Sequence, residues 1–158
     1  MPVIVLTTEI NAPIDICFDL ARSIDFHTHS VSHTNEKAVA GVVTGLIGAG
    51  EEVTWQARHF GIWQSLTSLI TAFDRPVYFR DSMKSGPFKR FDHDHFFEFE
   101  NGITKMRDRF DYESPLGILG HIADSIFLER YMTKLLLVRN EELKKAAETD
   151  PERFLVGL

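Results

Sequence analysis

The residues of this sequence best suited to chemistry lie in the segment 90–100, which reads RFDHDHFFEFE. His93 and His95 are two positions apart, and successive side chains of a β-strand point to opposite faces. Both imidazoles therefore fall on one face of a predicted strand. The phenylalanines of that face are Phe91, Phe97 and Phe99, and the acidic residues of the other face are Asp92, Asp94, Glu98 and Glu100. We expect the first face to point inward and the second to be solvated.

Three further polar side chains fall on apolar faces of neighbouring predicted strands. With the apolar residues of the same face, they are Asp108 with Met106, Phe110 and Tyr112, Asp81 with Phe79 and Met83, and His59 with Trp55 and Ala57. A carboxylate beside an imidazole in an apolar setting has the shifted pKa that acid–base catalysis uses. The alternative is structural, a His–Asp hydrogen bond that links adjacent strands.

Metal binding is a second hypothesis for His93 and His95, because imidazole is a common zinc ligand. His59 or Asp108 would complete a set of three ligands. Another group of histidines consists of His27, His29 and His33. Neither group belongs to a wider metal-binding motif, so we expect no metal at either place.

Nucleophilic and phosphate-binding chemistry have little support in the sequence. Cys17 is the only cysteine, which excludes an intramolecular disulfide and zinc sites built from several thiolates. It falls on the apolar stripe of a predicted helix, where we expect a buried, inert thiol. No G-x-S-x-G sequence is present, and Gly41, Gly45, Gly48 and Gly50 do not form a phosphate-binding motif. We interpret these glycines as turns within a sheet.

The charge balance disfavours nucleic acid as a partner. The formal net charge of the 158 residues is −6, and we find no basic stripe of the kind that phosphate contacts need. No run approaches the ~18 apolar residues of a membrane span, and the first residues do not read as a signal peptide. We expect a cytoplasmic protein that does not insert into a membrane.

The elements that position these residues follow from hydrophobic periodicity and turn residues. Val3–Ile10 is a predicted strand, followed by two short helices over 14–21 and 25–33. The next predicted strands are 36–43, 51–60, 62–73, 77–84, 90–100 and 103–114, with Asn101-Gly102 as a hairpin turn. A long helix is predicted over 116–147, and its apolar face is assigned to Ile122, Ile126, Phe127, Tyr131, Leu135 and Val138.

This order predicts an α+β fold in which a curved antiparallel sheet of six to seven strands wraps a long C-terminal helix. A sheet of this size curls because adjacent strands twist. The helix buries its apolar face on the concave side, and the space that it leaves unfilled is an apolar cavity. We expect one domain over 1–148 and a C-terminal tail over 149–158. The turn 85–88 carries Phe88. One hypothesis is that this ring helps to gate the mouth of the cavity, and the alternative that we favour is an ordinary tight turn.

Three sequence stretches resemble the START-like superfamily, the helix-grip proteins also called SRPBCC. They read EEVTWQARHFG, SGPFKRFDHDHFFEF and SPLGILGHIADSIFLERYMTKLLLVRN, and the resemblance extends over about residues 3–145. It is strongest to small bacterial proteins of the polyketide cyclase/dehydrase-like kind. The resemblance implies the helix-grip fold, a small-molecule ligand and no cofactor. It does not separate carriers and sensors from enzymes.

We therefore expect non-catalytic binding of a small hydrophobic molecule such as a lipid, quinone, isoprenoid or polyketide-like compound. The expected apolar walls are Trp55, Phe79, Phe97, Phe110, Tyr112 and Phe127, and the expected polar groups are His59, Asp81, His93, His95 and Asp108. One alternative is a cyclase, dehydratase or isomerase in which His95 or His93 is the general base and Asp108 the partner. Another is a protein-interaction module. The oligomeric state stays open.

Overall fold

The computed structural model describes residues 2–114 and 121–155, and for residues 121–125 it describes the backbone only. A strand, two short helices, six more strands and a long helix follow one another along the chain. Their bounds are β1 Val3–Ile10, α1 Ile14–Ala21, α2 Ile24–Ser30, β2 Lys37–Gly41, β3 Glu52–His59, β4 Ile62–Asp74, β5 Tyr78–Ser85, β6 Arg90–Glu100, β7 Ile103–Glu113 and α3 His121–Thr149. Short 3-10 helices lie at Ser32–Thr34 and Pro151–Phe154. The predicted element order is confirmed.

The seven strands form one antiparallel sheet in the order β1-β7-β6-β5-β4-β3-β2. Consecutive strands from β2 to β7 are neighbours, and β1 closes the series by pairing with β7. Asn101 and Gly102 both have positive φ, at 53° and 78°, as a two-residue hairpin turn needs. The fold class is therefore as predicted, an open curved sheet with two short helices after the first strand and one long C-terminal helix.

The glycines between β2 and β3 form turns, as the sequence indicates. Gly41, Gly45 and Gly50 all have positive φ. At Gly41 a side chain would also place its Cβ only 2.2 Å from the carbonyl oxygen of Glu52. Glycine is the one residue that meets both conditions without strain.

The larger part of the core lies where α1 crosses the sheet. The Phe18 ring of α1 meets Phe73, Phe79 and Phe97 edge to face, with centroids 5.5, 5.3 and 5.3 Å away. These three rings come from β4, β5 and β6, so a single side chain fastens α1 to three strands. At the C-terminal end, the Phe154 ring lies 5.4 Å from the Phe26 ring.

The prediction for the inward face of α3 is correct only in part, because Phe127, Tyr131 and Leu135 face the internal cavity but are not the buried residues of the helix. Ile126 and Phe127 are 54% and 59% exposed, and the side chain of Ile122 lies outside the described residues. The buried residues of the helix are Leu136, Arg139, Asn140, Leu143 and Ala147. The run Leu135–Val138 is apolar on every side, so periodicity alone does not select a face. The choice falls to polar partners on the sheet, which draw Arg139 and Asn140 inward.

Two assignments on β6 are also corrected. Phe99 is 51% exposed, because the last three residues of the strand lie in solvent next to the hairpin turn. Asp94 is buried rather than solvated. It accepts hydrogen bonds from Arg80 at 2.7 and 3.0 Å and from the Tyr78 hydroxyl at 2.6 Å. These long side chains cover the carboxylate on the outer face of the sheet, and strand alternation alone does not show such cover.

Candidate functional site

A cavity of about 490 Å³ lies between the concave face of the sheet and helices α2 and α3. Its wall is mostly apolar, with Leu66 and Ile70 from β4 and Met132 and Leu136 from α3 among the lining residues. Eight residues predicted for a ligand site line it: Trp55, His59, Phe79, Asp81, His93, His95, Phe110 and Phe127. The other three, Phe97, Asp108 and Tyr112, are buried behind this lining.

The innermost polar groups of the cavity come from three adjacent strands. The register places Asp81 of β5 opposite His93 of β6, and His95 of β6 opposite Asp108 of β7. Cross-strand partners on one face have Cβ atoms about 5 Å apart, so the four side chains meet. We call Asp81, His93, His95 and Asp108 the His–Asp cluster. They meet because all four side chains point inward, as the sequence predicted.

Short contacts hold the His–Asp cluster together. His95 Nε2 lies 2.9 Å from Asp81 Oδ2, and His93 Nε2 lies 3.0 Å from Asp108 Oδ1. His95 Nδ1 is also 3.0 Å from Asp108 Oδ1, although the alignment does not make a hydrogen bond. His93 Nδ1 is 3.9 Å from Asp81 Oδ2. Each imidazole therefore has one nitrogen towards Asp108 and the other towards Asp81.

Helix α3 completes the cluster with two residues that the sequence reasoning missed. Asn140 Nδ2 donates to Asp108 Oδ2 at 2.7 Å. Arg139 Nη1 lies 3.6 Å from Asp108 Oδ1, and its Nη2 donates to the Ala21 carbonyl at 3.2 Å. The signal in the sequence is that this polar pair lies between Leu136 and Leu143 at helical spacing, on one face of α3.

The carboxyl groups of the cluster are held in their charged form. Burial would raise the pKa of Asp108, but the contacts from His93 and His95 outweigh burial and hold that pKa well below its usual range. Burial would likewise raise the pKa of Asp81, yet its hydrogen bond with His95 and the nearby positive charges lower it. Two carboxylates therefore share one small, enclosed region with Arg139.

The two imidazoles differ in their ionisation. Burial and the neighbouring His95 lower the pKa of His93. Burial would also lower the pKa of His95, but its contacts with Asp108 and Asp81 raise it above the ordinary value. The ring centroids lie only 3.9 Å apart, which disfavours a positive charge on both rings at once. The cluster with Arg139 is then close to electroneutral, with His93 as the neutral imidazole.

The solvent exposure of the cluster's side chains decreases from the cavity towards the core. The side chain of Asp81 is 20% exposed and that of His93 is 9% exposed, whereas those of His95 and Asp108 are 2% and 1% exposed. Asp81 lines the cavity, so its exposed surface faces that space. Asp81 and His93 can contact a bound molecule, while Asp108 supports the two rings from behind.

His59 belongs to a separate polar group near the mouth of the cavity. Its Nδ1 is hydrogen-bonded to the Tyr131 hydroxyl of α3, and burial lowers its pKa. His27 Nε2 lies 2.5 Å from Glu36 Oε1, and the His27 ring is 4.4 Å from the Trp55 ring. These groups line the same cavity, so it has a polar group at the mouth in addition to the His–Asp cluster.

The predicted metal-binding combinations are not formed. His59 is engaged by Tyr131, and Asp108 lies behind both imidazoles. His27 pairs with Glu36 and His29 faces Glu142 at 3.7 Å, so these histidines turn to different partners. In the part of the chain that the structure describes, one group of three has metal-ligand spacing, and Asp81 is its third member beside His93 and His95.

Cys17 and Phe88 have the surroundings of packed residues. Cys17 is fully buried, and burial raises the pKa of its thiol to about 11, which makes it unreactive. The Phe88 ring lies 5.9 Å from Phe91 and 5.6 Å from Tyr112, centroid to centroid. It also lines the cavity, where it contributes to the wall at the turn between β5 and β6.

Similar structures span nearly the whole chain. The protein TTHA0849 from Thermus thermophilus is 20% identical, with a TM-score of 0.72, over 92% of this chain and 99% of that one. The Zhui aromatase/cyclase from Streptomyces sp. R1128 is 12% identical, with a TM-score of 0.73, over 93% of each chain. Major latex-like protein 151 from Panax ginseng is 14% identical, with a TM-score of 0.65, over 92% of this chain and 97% of that one.

These similarities confirm the helix-grip fold that the resemblance to the START-like superfamily implied. No family model matches the sequence, and no curated protein matches it significantly. Among the described residues, no helix is long and apolar enough to cross a membrane.

Proposed function

We propose that the chain binds a small hydrophobic molecule of the lipid, quinone, isoprenoid or polyketide-like class, without transforming it. The observation that carries this proposal is an apolar cavity of about 490 Å³ with the His–Asp cluster at its inner end. Ligand pockets of roughly 300–1,000 Å³ with a few convergent polar groups are the usual form of small-molecule sites. The binding unit is the single domain 1–148, and 149–158 is its tail.

The distribution of polar groups favours an elongated or polycyclic ligand that carries oxygen at one end. Its body would lie against Trp55, Leu66 and Ile70, which supply apolar surface along β3 and β4. A hydroxyl or carbonyl group at the inner end would meet Asp81 and His93, the members of the cluster most open to the cavity. Pairing there matters because an unpaired polar group in such a site costs about 1–3 kcal/mol.

The size of the cavity weighs against the protein-interaction alternative. A module that uses only its outer surface gains nothing from an unfilled interior, since each void lowers stability. Asp81, His93 and His95 of the His–Asp cluster also line this cavity and not the outer face of the sheet. A partner protein bound outside would leave both features without a role.

The direct test is native mass spectrometry of freshly purified protein, followed by solvent extraction of any bound compound. We expect a reproducible extra mass of a few hundred daltons, in keeping with the cavity size, that is released on denaturation. Trp55→Ala should reduce the bound fraction, and Trp63→Ala serves as a control because Trp63 is 56% exposed outside the cavity. An unliganded mass that stays unchanged after incubation with lipids, quinones and isoprenoids would contradict the proposal.

Catalysis of the cyclase, dehydratase or isomerase kind is the second candidate, and the buried His–Asp cluster favours it. Asp108 orients both rings, and His93 faces the cavity, so an imidazole is positioned to exchange a proton with a bound substrate. The same extraction decides between the candidates. A bound compound that is recovered chemically unaltered supports binding alone. A product that the wild type yields and His95→Gln does not supports an enzyme.

A further inference from the structure

We propose that Asp81, His93 and His95 form a binding site for a divalent transition-metal ion at the inner end of the cavity. Each of the three offers one ligand atom, and these atoms lie within 4.8 Å of one another. The donors are two imidazole nitrogens and one carboxylate oxygen, a set that suits zinc or iron(II). The inference goes beyond hydrophobic binding, because neither the fold nor an apolar wall requires a metal.

The spacing of the donor atoms fits one small ion. Ligands about 2.1 Å from a common metal are separated by about 3.0–3.4 Å, depending on the coordination geometry. Asp81 Oδ2 is 2.9 Å from His95 Nε2 and 3.9 Å from His93 Nδ1, values on both sides of that range. With all three donor atoms within 4.8 Å of one another, side-chain rotations would bring them to one ion. The ion would replace the hydrogen bond between His95 and Asp81, and His95 would release its proton to solvent on binding.

The strongest support is the position of Asp108 behind the two imidazoles. Metal-bound histidines usually direct their second nitrogen to a carboxylate, which fixes the ring and its tautomer. Here Asp108 Oδ1 lies 3.0 Å from His93 Nε2 and 3.0 Å from His95 Nδ1. The opposite nitrogens of both rings are thereby left directed towards Asp81. One carboxylate thus prepares both histidines as ligands.

Two residues of α3 in turn hold the Asp108 side chain in place. Asn140 Nδ2 donates to its Oδ2 at 2.7 Å, and Arg139 Nη1 lies 3.6 Å from its Oδ1. Arg139 is anchored to the carbonyl of Ala21. Asn140 occupies Oδ2, so Oδ1 accepts the contacts from the two imidazoles, and Arg139 offsets part of the negative charge of the buried carboxylate. A site held on rigid elements in this manner is preorganised for a metal.

The coordination sphere would remain open towards the cavity. Three protein ligands leave at least one position for water or for an oxygen atom of a bound molecule. Asp81 and His93 line the cavity, so that position faces the cavity. If the proposed hydrophobic ligand carries a carbonyl or hydroxyl group, the ion is the group that holds it.

Zinc titration of chelator-treated protein by calorimetry tests the site. We expect one zinc ion per chain with micromolar or tighter affinity, and at least a tenfold weaker affinity for Asp81→Asn. The control is the double variant His29→Gln/His33→Gln, which removes two histidines outside the cluster and should bind zinc like the wild type. Absence of stoichiometric binding, unchanged affinity in Asp81→Asn, or loss of binding in the control would overturn the proposal.

A measurement on the wild-type protein removes the dependence on the folding of variants. In nitrogen-15 NMR spectra of the histidine rings, zinc should shift the signals of two of the seven histidines, His93 and His95. Cobalt(II) should give visible absorption bands at one equivalent. Shifts confined to His27, His29 or His33 would assign the metal to a place outside the His–Asp cluster and contradict the site.

The metal site and the proposed function can fail independently. Binding of a fluorescent hydrophobic probe to chelator-treated protein reports on the cavity alone, and zinc calorimetry reports on the cluster alone. Probe binding without zinc binding overturns the metal site and leaves the proposed function standing. Zinc binding without any hydrophobic ligand overturns the proposed function and supports the metal site.

Discussion

At the scale of single residues, Asp108 is a buried carboxylate surrounded by four polar side chains. It contacts His93, His95, Asn140 and Arg139 at 3.0, 3.0, 2.7 and 3.6 Å. Its side chain is 1% exposed, so water cannot replace any of these partners. A buried charge is tolerated only when it is paired, and each group here depends on the others.

Replacing Asp108 with asparagine should therefore lower stability strongly. The isosteric change removes the negative charge and leaves Arg139 and His95 buried beside a neutral amide. Breaking a buried ion pair in this way costs about 3–5 kcal/mol. Urea denaturation of Asp108→Asn should show that loss in the free energy of unfolding.

Asp92→Asn is the matched control on the neighbouring strand. Asp92 is 35% exposed, with Arg90 at 3.7 Å and a hydrogen bond from the Ser82 hydroxyl at 2.6 Å. Asparagine keeps an accepting oxygen for Ser82, and surface ion pairs contribute about 0–1 kcal/mol. Equal losses of stability in the two variants would show that the contacts of Asp108 are not special.

At the scale of elements, the site depends on the register of β5, β6 and β7. That register sets Asp81 against His93 and Asp108 against His95, and a shift of one residue would turn all of them to the outer face. Helix α1 also supports these strands, because its Phe18 ring contacts rings on β4, β5 and β6. Stacking of Phe79 on the His95 ring, with centroids 4.2 Å apart, links this packing to the cluster.

Truncation of Phe18 should show how much α1 contributes. Phe18 is fully buried, and large-to-small changes of buried phenylalanine cost about 3–5 kcal/mol. We expect Phe18→Ala to lose that amount in denaturant unfolding. Phe99→Ala, at a position 51% exposed, should change stability by about 0.5 kcal/mol or less. A small effect of Phe18→Ala would mean that the strands pack without the helix.

At the scale of the whole molecule, the cavity is closed where the β3–β4 hairpin meets α3. The Phe60 ring lies 4.6 Å from the Tyr131 ring and 5.4 Å from the Phe127 ring, centroid to centroid. The hydrogen bond between His59 and Tyr131 reinforces this contact. Phe60 and Phe127 are nevertheless more than half exposed, so the contact is shallow and can open without disturbing the core. We therefore predict that a ligand exchanges at this contact.

Removing the Phe60 ring should speed the release of a bound molecule. An aromatic pair contributes about 0.5–1.5 kcal/mol beyond its buried area, which corresponds to a dissociation rate about two- to tenfold higher. Stopped-flow release of a fluorescent hydrophobic probe from Phe60→Ala measures the rate. Trp63→Ala, in the same hairpin but outside the cavity lining, should leave it unchanged. Faster release from Phe88→Ala instead would place the mouth at the turn between β5 and β6.

Local pattern in the sequence determined the elements and most inward-facing strand residues. Side chains alternate along a strand whatever it packs against, so His93, His95 and Asp108 could be placed on inner faces without coordinates. The Asn101-Gly102 turn determined the β6–β7 hairpin by itself, because its backbone conformation depends on residue type. The resemblance to the START-like superfamily then indicated how the elements assemble.

Only the tertiary structure decided which of these residues meet. The register of the sheet made Asp81, rather than His59, the third member of the group around His93 and His95. The inward face of α3 was likewise undetermined, since its apolar run fits more than one face, and Asp108 selected the face with Asn140 and Arg139. The physical reason is range: turns and alternation depend on neighbours along the chain, whereas pairing of buried polar groups depends on residues far apart in the sequence.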